Sequence, residues 1–215
     1  MDHKVILFQG DSITDCGRDK EKFLHNGRGY AHLCEAELTY REPGAYTCYN
    51  RGISGNRVVD LYARIGMDML YLKPDYMSIL IGINDVWHEY TRHNGVNAKK
   101  FEMVYGLMIE ELLENLPNLK IMIMEPFVLK GSATWTDEEH PGRWEYFSAE
   151  CELRRAAAKR IAERYNLPFV PLQELFTEAA ATAPEGYWLK DGVHPTPAGH
   201  ALIRDQWMKA FEKMK

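Results

Sequence analysis

The chain contains 215 residues, of which 46% are hydrophobic and 27% are charged. These fractions are typical of a globular protein and exclude a disordered or collagen-like chain. Acidic residues outnumber basic residues by 31 to 26, which gives a net charge of −5. No excess of positive charge therefore favours a nucleic acid or an anionic membrane as a partner.

The chain length predicts one domain spanning residues 1–215, because chains usually divide only beyond about 250 residues. The apolar run at residues 5–8 is too short for the core of a signal peptide, and no stretch approaches the roughly 18 apolar residues of a membrane span. The cysteines, Cys16, Cys34, Cys48 and Cys151, contain no CxxC pair, which favours reduced thiols and a cytoplasmic location. Cys16 is expected to be a small buried side chain rather than a nucleophile.

Short apolar runs alternate along the chain with longer segments of helical period. In chain order, the predicted strands are residues 5–8, 47–50, 77–81, 121–124 and 169–171. The predicted helices are residues 30–40, 58–70, 97–116, 144–165, 172–181 and 197–214. This alternation is typical of βα units. It predicts an α/β fold, a three-layer αβα sandwich around a five-stranded parallel sheet in the flavodoxin-like order 2-1-3-4-5.

Two further features concern the segments between the strands. In the helix predicted at residues 97–116, the side chains of Val104, Leu107, Met108 and Leu112 are spaced to cover the sheet with one face. Residues 130–142 form the longest irregular stretch, which either borders a functional site or is a plain surface excursion.

Four polar motifs follow the predicted strands or lie near the C-terminus. GDSI occupies residues 10–13, NRGISGN residues 50–56, GIND residues 82–85 and DGVH residues 191–194. Ligands of such sheets bind at the carboxyl ends of the strands. In the order 2-1-3-4-5, Ser12, Gly55 and Asn84 would emerge side by side at one edge.

These motifs contain the groups that acyl transfer requires. A serine hydroxyl needs a base to take its proton, most often a histidine that a carboxylate orients, and His194 and Asp191 are spaced for these two roles. The backbone N–H groups of Ser12 and Gly55 and the Asn84 amide are candidate oxyanion donors. Gly52 competes with Gly55 as the donor from the second motif.

Two other classes of protein remain open at this point. A metal-dependent phosphoesterase could use Asp11, Asn84, Asp85, Asp191 and His194 as ligands, although a serine stands where another ligand would be wanted. A non-catalytic carbohydrate-binding module would need only the aromatic side chains. The remaining histidines lack metal-ligand spacing, so neither a metal nor another cofactor is expected.

The four motifs resemble, in order and over nearly the whole chain, the blocks of the SGNH hydrolases, also called GDSL esterases, with Ile13 in place of the leucine. The resemblance implies that Ser12 is the nucleophile, that Gly55 and Asn84 complete the oxyanion hole, and that Asp191 and His194 complete the catalytic triad. That family also includes lipases, thioesterases and lysophospholipases.

The longer strings GDSITDCGR, NRGISGN and IGINDVW resemble those of the intracellular acetyl xylan esterases within this superfamily. This resemblance implies a serine esterase that deacetylates xylo-oligosaccharides or related small carbohydrates, and it implies a homo-oligomer. Trp87 and Trp188 are expected to stack on the sugar, with core packing as their alternative role. Asp11 is the third expected substrate contact.

Overall fold

The computed structural model describes residues 3–215. Within them, one sheet contains five strands: Lys4–Gly10 (β1), Tyr46–Asn50 (β2), Tyr76–Leu80 (β3), Lys120–Met124 (β4) and Phe169–Val170 (β5). All pairings are parallel and the strand order is β2-β1-β3-β4-β5. The predicted fold class and strand order are confirmed.

The α-helices connect and follow these strands. They span Ser12–Asp15 (α1), Tyr30–Arg41 (α2), Val58–Ala63 (α3), Ile83–Arg92 (α4), Ala98–Asn115 (α5), Arg143–Arg164 (α6), Gln173–Ala180 (α7) and Pro197–Met214 (α8). A π-helical turn, Gly66–Leu70, follows α3. The six predicted helices are all present, whereas α1 and α4 were not predicted.

The sheet separates two apolar cores because successive side chains of a strand point to opposite faces. Ile6 and Phe8 of β1 belong to one core, in which the Phe8 ring lies 5.1 Å from the Trp207 ring of α8. Leu7 belongs to the other core, together with Phe101 of α5. Helices α2, α7 and α8 cover the first face, and α3, α5 and the C-terminal half of α6 cover the second. The three-layer arrangement follows from this alternation.

Two predictions about the helices were wrong in detail. The helix expected at residues 58–70 is interrupted after α3, and a wider turn closes with a bond from the Tyr71 N–H to the Gly66 carbonyl, 2.9 Å; glycine weakens a continuous α-helix at this point. Leu107 does not face the sheet, because 44% of it is exposed. The buried face of α5 instead includes Phe101, Tyr105 and Ile109.

The strand register brings the ends of three strands together. Phe8 of β1 pairs with Asn50 of β2, and Gly10 of β1 pairs with Leu80 of β3. The polar motifs that follow β1, β2 and β3 therefore start at neighbouring points on one edge of the sheet. Within residues 3–215, no helix is both long and apolar enough to span a membrane.

Candidate active site

Ser12 lies at the first position of α1, directly after β1. Asp11 caps this helix, accepting a hydrogen bond from the Ile13 N–H at 2.9 Å. A residue in the first turn of a helix has no intrahelical acceptor for its backbone N–H. The Ser12 hydroxyl and the Ser12 N–H are therefore presented together at the carboxyl edge of the sheet.

Ser12, His194 and Asp191 form one continuous chain of hydrogen bonds. The Ser12 Oγ lies 3.0 Å from the His194 Nε2, and the His194 Nδ1 lies 2.7 Å from the Asp191 Oδ2. Because an ionised carboxylate only accepts hydrogen bonds, Nδ1 carries the ring proton when His194 is neutral. Nε2 is then free to accept the proton of the Ser12 hydroxyl, as general-base catalysis requires.

Backbone N–H groups hold the Asp191 carboxylate in the orientation in which it bonds to the His194 ring. Its Oδ1 accepts the backbone N–H groups of Val193 at 3.0 Å and His194 at 2.7 Å. Burial alone would raise the pKa of this carboxyl, but the hydrogen bonds from the His194 ring and from the two backbone N–H groups outweigh it and lower the pKa to about 2. Asp191 is therefore ionised at neutral pH.

The loop after β2 offers Gly55, rather than Gly52, as an oxyanion donor. The Gly52 N–H already donates to the Asn50 Oδ1 at 2.9 Å. Gly55 has a φ of +85°, a conformation that favours glycine, and no acceptor within residues 3–215 takes its N–H. The hydrogen bonds already made leave the Gly55 N–H available and the Gly52 N–H occupied, and the donation from Gly55 to an oxyanion stays a prediction.

Asn84 is fixed in the first turn of α4, close to the same loop. Its side-chain nitrogen donates to the Asn56 carbonyl at 3.1 Å, which leaves the second amide hydrogen for another acceptor. The neighbouring Asp85 is fully buried and accepts the Val58 N–H at 3.1 Å. Burial raises the pKa of Asp85 well above its usual value of 3.8. Asp85 therefore joins α4 to the start of α3.

Two further side chains connect the first motif to the second, and sequence reasoning missed them. The Asn50 side chain donates to the Thr14 carbonyl at 2.6 Å while it accepts the Gly52 N–H. The Asp15 carboxylate accepts both the N–H and the Oγ–H of Ser54 at 3.0 Å. Asn50 lies in the string NRGISGN and Asp15 lies in GDSITDCGR. Their positions inside these two motifs were the signal that could have identified them from the sequence.

Part of the 130–142 stretch packs against the segment that carries Asp191 and His194. The Leu129 N–H donates to the Gly192 carbonyl at 2.8 Å, and the Ala133 N–H donates to the Asp191 carbonyl at 3.0 Å. Gly131 lies so close to Gly192 that a Cβ on Gly131 would collide with the Gly192 nitrogen. Of the two alternatives for this stretch, the structure favours the one in which it borders the site.

The two tryptophans expected at the mouth of the site lie in different surroundings. The Trp87 ring lies 5.9 Å from the His194 ring and packs against Phe147. Trp188 donates its indole N–H to the Ala179 carbonyl at 2.7 Å and lines a separate cavity of about 620 Å³ with Trp135 and Trp144. Ser12 and His194 line another cavity of about 280 Å³. Of the two tryptophans, Trp87 thus contacts the candidate triad and Trp188 lines the other cavity.

The structure does not support Asp11 as a substrate contact. Only 1% of the residue is exposed, and its carboxylate caps α1 instead. Burial raises the pKa of Asp11 from 3.8 to about 7, although the Ile13 hydrogen bond and the His194 charge act in the opposite direction. The expected contact with substrate is therefore corrected to a role in holding the helix that starts at Ser12.

This raised pKa predicts a stability change with pH. The unfolded chain loses the Asp11 proton above about pH 4, whereas the folded chain keeps it up to about pH 7. Folding therefore takes up a proton, and the free energy of unfolding should fall by up to about 4 kcal/mol between pH 4 and pH 8 because of this group. Asp11→Asn, whose amide can still cap the helix, should remove this part of the fall. Urea unfolding of both proteins across this pH range measures it, and an equal fall in both would contradict the prediction.

Cys16 also lies in the cavity of Ser12, but it is not set up as a nucleophile. Its Sγ lies 3.2 Å from the His200 Nε2, and the His200 Nδ1 accepts the Tyr30 N–H at 3.1 Å. Burial lowers the pKa of His200 to about 4, so the neutral ring carries its proton on Nε2 and cannot take the thiol proton there. Burial also raises the pKa of the Cys16 thiol. Cys16 is partly exposed rather than fully buried as expected.

The residues considered as metal ligands do not gather around one point. Asp11 and Asp85 are buried and bonded to backbone N–H groups, and Asp191 is bonded to His194. Across the part of the chain from residue 3 onward, no group of three or more His, Cys, Asp or Glu side chains is arranged to hold a metal ion. The expectation that the protein uses no cofactor stays a prediction.

Comparison with known proteins defines the class of this protein. The model of the GDSL-like lipase/acylhydrolase family matches residues 8–202. The chain therefore belongs to this family, which confirms the resemblance stated from its motifs, and it is a carboxylic ester hydrolase.

Individual relatives are similar over nearly their whole length. An acetylxylan esterase of Geobacillus stearothermophilus is 35% identical over 95% of this chain and 92% of its own. The crystal structure of Axe2, an acetylxylan esterase from the same organism, has a TM-score of 0.82 at 32% identity, covering 97% of this chain and 94% of its own. That of a provisionally assigned GDSL-like lipase from Parabacteroides merdae has a TM-score of 0.90 at 37% identity, covering 98% and 96%.

Proposed function

We propose that this esterase removes short acyl groups, acetyl above all, from small carbohydrates such as xylo-oligosaccharides, through an acyl-serine intermediate. The observation that carries the proposal is the continuous chain of hydrogen bonds from the Ser12 Oγ through His194 to Asp191. The identity of 35% to an acetylxylan esterase supports the choice of an acetylated sugar.

The first half of the reaction forms the acyl-enzyme. The Ser12 oxygen attacks the ester carbonyl carbon while its proton passes to the His194 Nε2. The carbonyl oxygen becomes an oxyanion, which the N–H groups of Ser12 and Gly55 and the Asn84 amide stabilise. His194 then gives the proton to the leaving oxygen, so the bond between the carbonyl carbon and that oxygen breaks and the sugar leaves as an alcohol.

The second half returns the enzyme to its starting state. A water molecule attacks the acetyl carbonyl and gives one proton to the His194 Nε2, and the same donors again hold the oxyanion. When the bond to Ser12 breaks, His194 returns the proton to the serine oxygen and acetic acid is released. Asp191 stays ionised throughout and stabilises the charged imidazolium, because its low pKa prevents it from taking the ring proton.

The surroundings of Ser12 favour a small acyl group and a polar alcohol. Polar and charged side chains form most of the cavity of about 280 Å³, and its apolar lining is limited to Ile13, Cys16 and Pro195. A long acyl chain would therefore find little apolar surface to cover. The ring of Trp87, beside His194, supplies a face for the apolar side of a sugar.

A substrate panel tests this proposal against the lipase and thioesterase alternatives. The panel contains p-nitrophenyl esters of two to twelve carbons, acetylated xylose and acetylated xylo-oligomers. We expect kcat/KM to be highest for the acetate and to fall by about tenfold or more by the octanoate, since each methylene that is not accommodated costs part of the binding free energy. We also expect acetate release from the xylose esters. A maximum at eight or more carbons would contradict the proposal and favour a lipase.

A further inference from the structure

Two cationic side chains line the cavity of Ser12 and His194: Arg28 and Lys190. Both residues are exposed. Neither side chain makes an ion pair or a hydrogen bond with any other residue in the range 3–215. Two uncompensated positive charges at this position are notable because the protein as a whole has a net charge of −5.

Lys190 comes from the segment that also carries Asp191 and His194, whereas Arg28 comes from the loop between α1 and α2. The Arg28 N–H donates to the Cys16 carbonyl at 3.0 Å, and the guanidinium lies beside Gly17, where a Cβ would be 2.9 Å from one of its nitrogens. Lys190 immediately precedes Asp191, and its N–H donates to the His194 carbonyl at 3.0 Å. Both backbones are therefore anchored next to the reacting groups, while both side chains reach the same cavity.

The charges of Arg28 and Lys190 affect the pKa values of nearby titratable groups. Burial raises the pKa of the Cys16 thiol, and the charges of Arg28 and Lys190 act in the opposite direction. The Lys190 charge, after burial and the His194 charge, also lowers the pKa of His200. Both positive charges thus act on Cys16, and the Lys190 charge also acts on His200.

The carboxylates around the cavity do not neutralise these cations. Asp15 is 5% exposed and accepts hydrogen bonds from Ser54 and from the Arg18 N–H. Asp11 is 1% exposed and caps α1, and Asp191 is bonded to His194. No carboxylate of residues 3–215 therefore pairs with either cation, and both remain available to an anionic group of a ligand.

We propose that Arg28 and Lys190 bind an anionic oxygen group, a carboxylate or a phosphate, on the alcohol portion of the ester. Within the proposed class of small acetylated carbohydrates, those that carry an acidic group are then preferred over neutral ones. The proposal rests on the proposed function, because it presumes that Ser12 and His194 hydrolyse the ester. A guanidinium fork and an ammonium group together match the oxygens of either anion.

The anion belongs to the alcohol portion because of the position of His194. This residue, which protonates the leaving oxygen, lines the same cavity as Arg28 and Lys190. An acetyl group alone fills only a small part of the cavity volume of about 280 Å³. The remaining space, with its two cations, is available for the group that leaves.

A pair of matched aryl acetates tests the proposal: 4-acetoxybenzoate, which is anionic, and 4-acetoxybenzamide, its neutral isostere. The quantity of interest is the ratio of their kcat/KM values in the wild-type protein and in Arg28→Gln, Lys190→Gln and the double variant. The ratio in the wild-type protein should exceed that in the double variant by about tenfold at low salt, and molar salt should reduce the difference. Each single variant should show a ratio between those of the wild-type protein and the double variant.

The ratio separates this proposal from general effects of the substitutions. A change in overall catalysis or in folding alters both esters equally and leaves the ratio unchanged. Lys209→Gln removes one positive charge from α8 outside the cavity and should keep the ratio of the wild-type protein. Equal ratios in the wild-type protein and the double variant would overturn the proposal, even where both esters are hydrolysed.

Further arms identify the anion and its position. Acetylated glucose, glucuronic acid and glucose 6-phosphate distinguish a carboxylate from a phosphate, and the double variant should reduce the preference for whichever acidic sugar the wild-type protein favours. If instead the two cations favour p-nitrophenyl hemisuccinate over p-nitrophenyl acetate and leave the acidic alcohols unaffected, the assignment to the alcohol portion is wrong. Failure of the proposed function has a separate sign, namely hydrolysis of 4-acetoxybenzamide that persists in Ser12→Ala.

Discussion

Replacing Ser12 by alanine is expected to lower kcat/KM for p-nitrophenyl acetate by about a thousandfold or more. The substitution removes the oxygen that attacks the carbonyl, and His194 then has no hydroxyl at 3.0 Å from which to take a proton. Initial rates of p-nitrophenol release, corrected for the uncatalysed reaction, measure the loss.

Two controls separate the loss of the nucleophile from other causes. The circular dichroism spectrum and the thermal transition of Ser12→Ala should match those of the wild-type protein, because the partly exposed Ser12 hydroxyl bonds to the His194 ring rather than to the backbone of the fold. Cys16→Ala tests the thiol that lines the same cavity and should keep activity within tenfold, since His200 cannot take the thiol proton. Ser12→Ala activity within tenfold of the wild-type value would exclude Ser12 as the nucleophile.

Replacing Asp191 by asparagine is expected to lower kcat/KM by a factor on the order of 10³ to 10⁴ while the fold survives. The asparagine oxygen can still accept the N–H groups of Val193 and His194 that the Asp191 Oδ1 accepts. Its NH₂ group would then face the His194 Nδ1 and donate to it. The neutral ring would consequently carry its proton on Nε2, where it could not accept the serine proton.

The loss should therefore appear in chemistry rather than in binding. We expect kcat to fall and KM to change little, and nitrogen NMR of the imidazole should show the proton on Nε2 in the variant and on Nδ1 in the wild-type protein. Asp205→Asn, which changes an exposed carboxylate on α8 that pairs with Arg204, serves as the matched control. A wild-type tautomer together with a loss below tenfold would show that Asp191 does not orient the ring.

The sequence was sufficient for the sheet and for the neighbouring ends of its strands. Short apolar runs that alternate with longer segments of helical period are typical of a parallel sheet. Once β1, β2 and β3 are adjacent, the residues that follow them must meet at one edge. The single turn of α1 and the whole of α4 were missed because no helix was predicted over the polar motifs GDSI and GIND that follow β1 and β3. The apolar spacing of Ile83, Val86 and Tyr90, which all pack in the first core, was the available indication of a helix.

The direction of single side chains at the site was harder to predict. Trp87 and Trp188 look equivalent in sequence, since each lies three residues from a catalytic motif residue, yet a bond to the Ala179 carbonyl turns the Trp188 ring to another cavity. Asp11 is polar and next to Ser12, but its side chain is buried because it caps α1 instead of reaching the solvent. Both outcomes depend on hydrogen bonds to backbone groups only nine and two residues away along the chain, and residue type alone does not encode which of these bonds forms.

The close approach of Gly131 to Gly192 has a consequence for engineering new specificities. The segment that carries His194 packs against the segment of residues 129–133 through main-chain atoms. A displacement of one segment would therefore displace the other. Grafting a foreign insertion into the second of these segments would shift the general base together with the new binding surface. A library that diversifies residues 132–142 while keeping both glycines would retain far more active members than one that also randomises position 131.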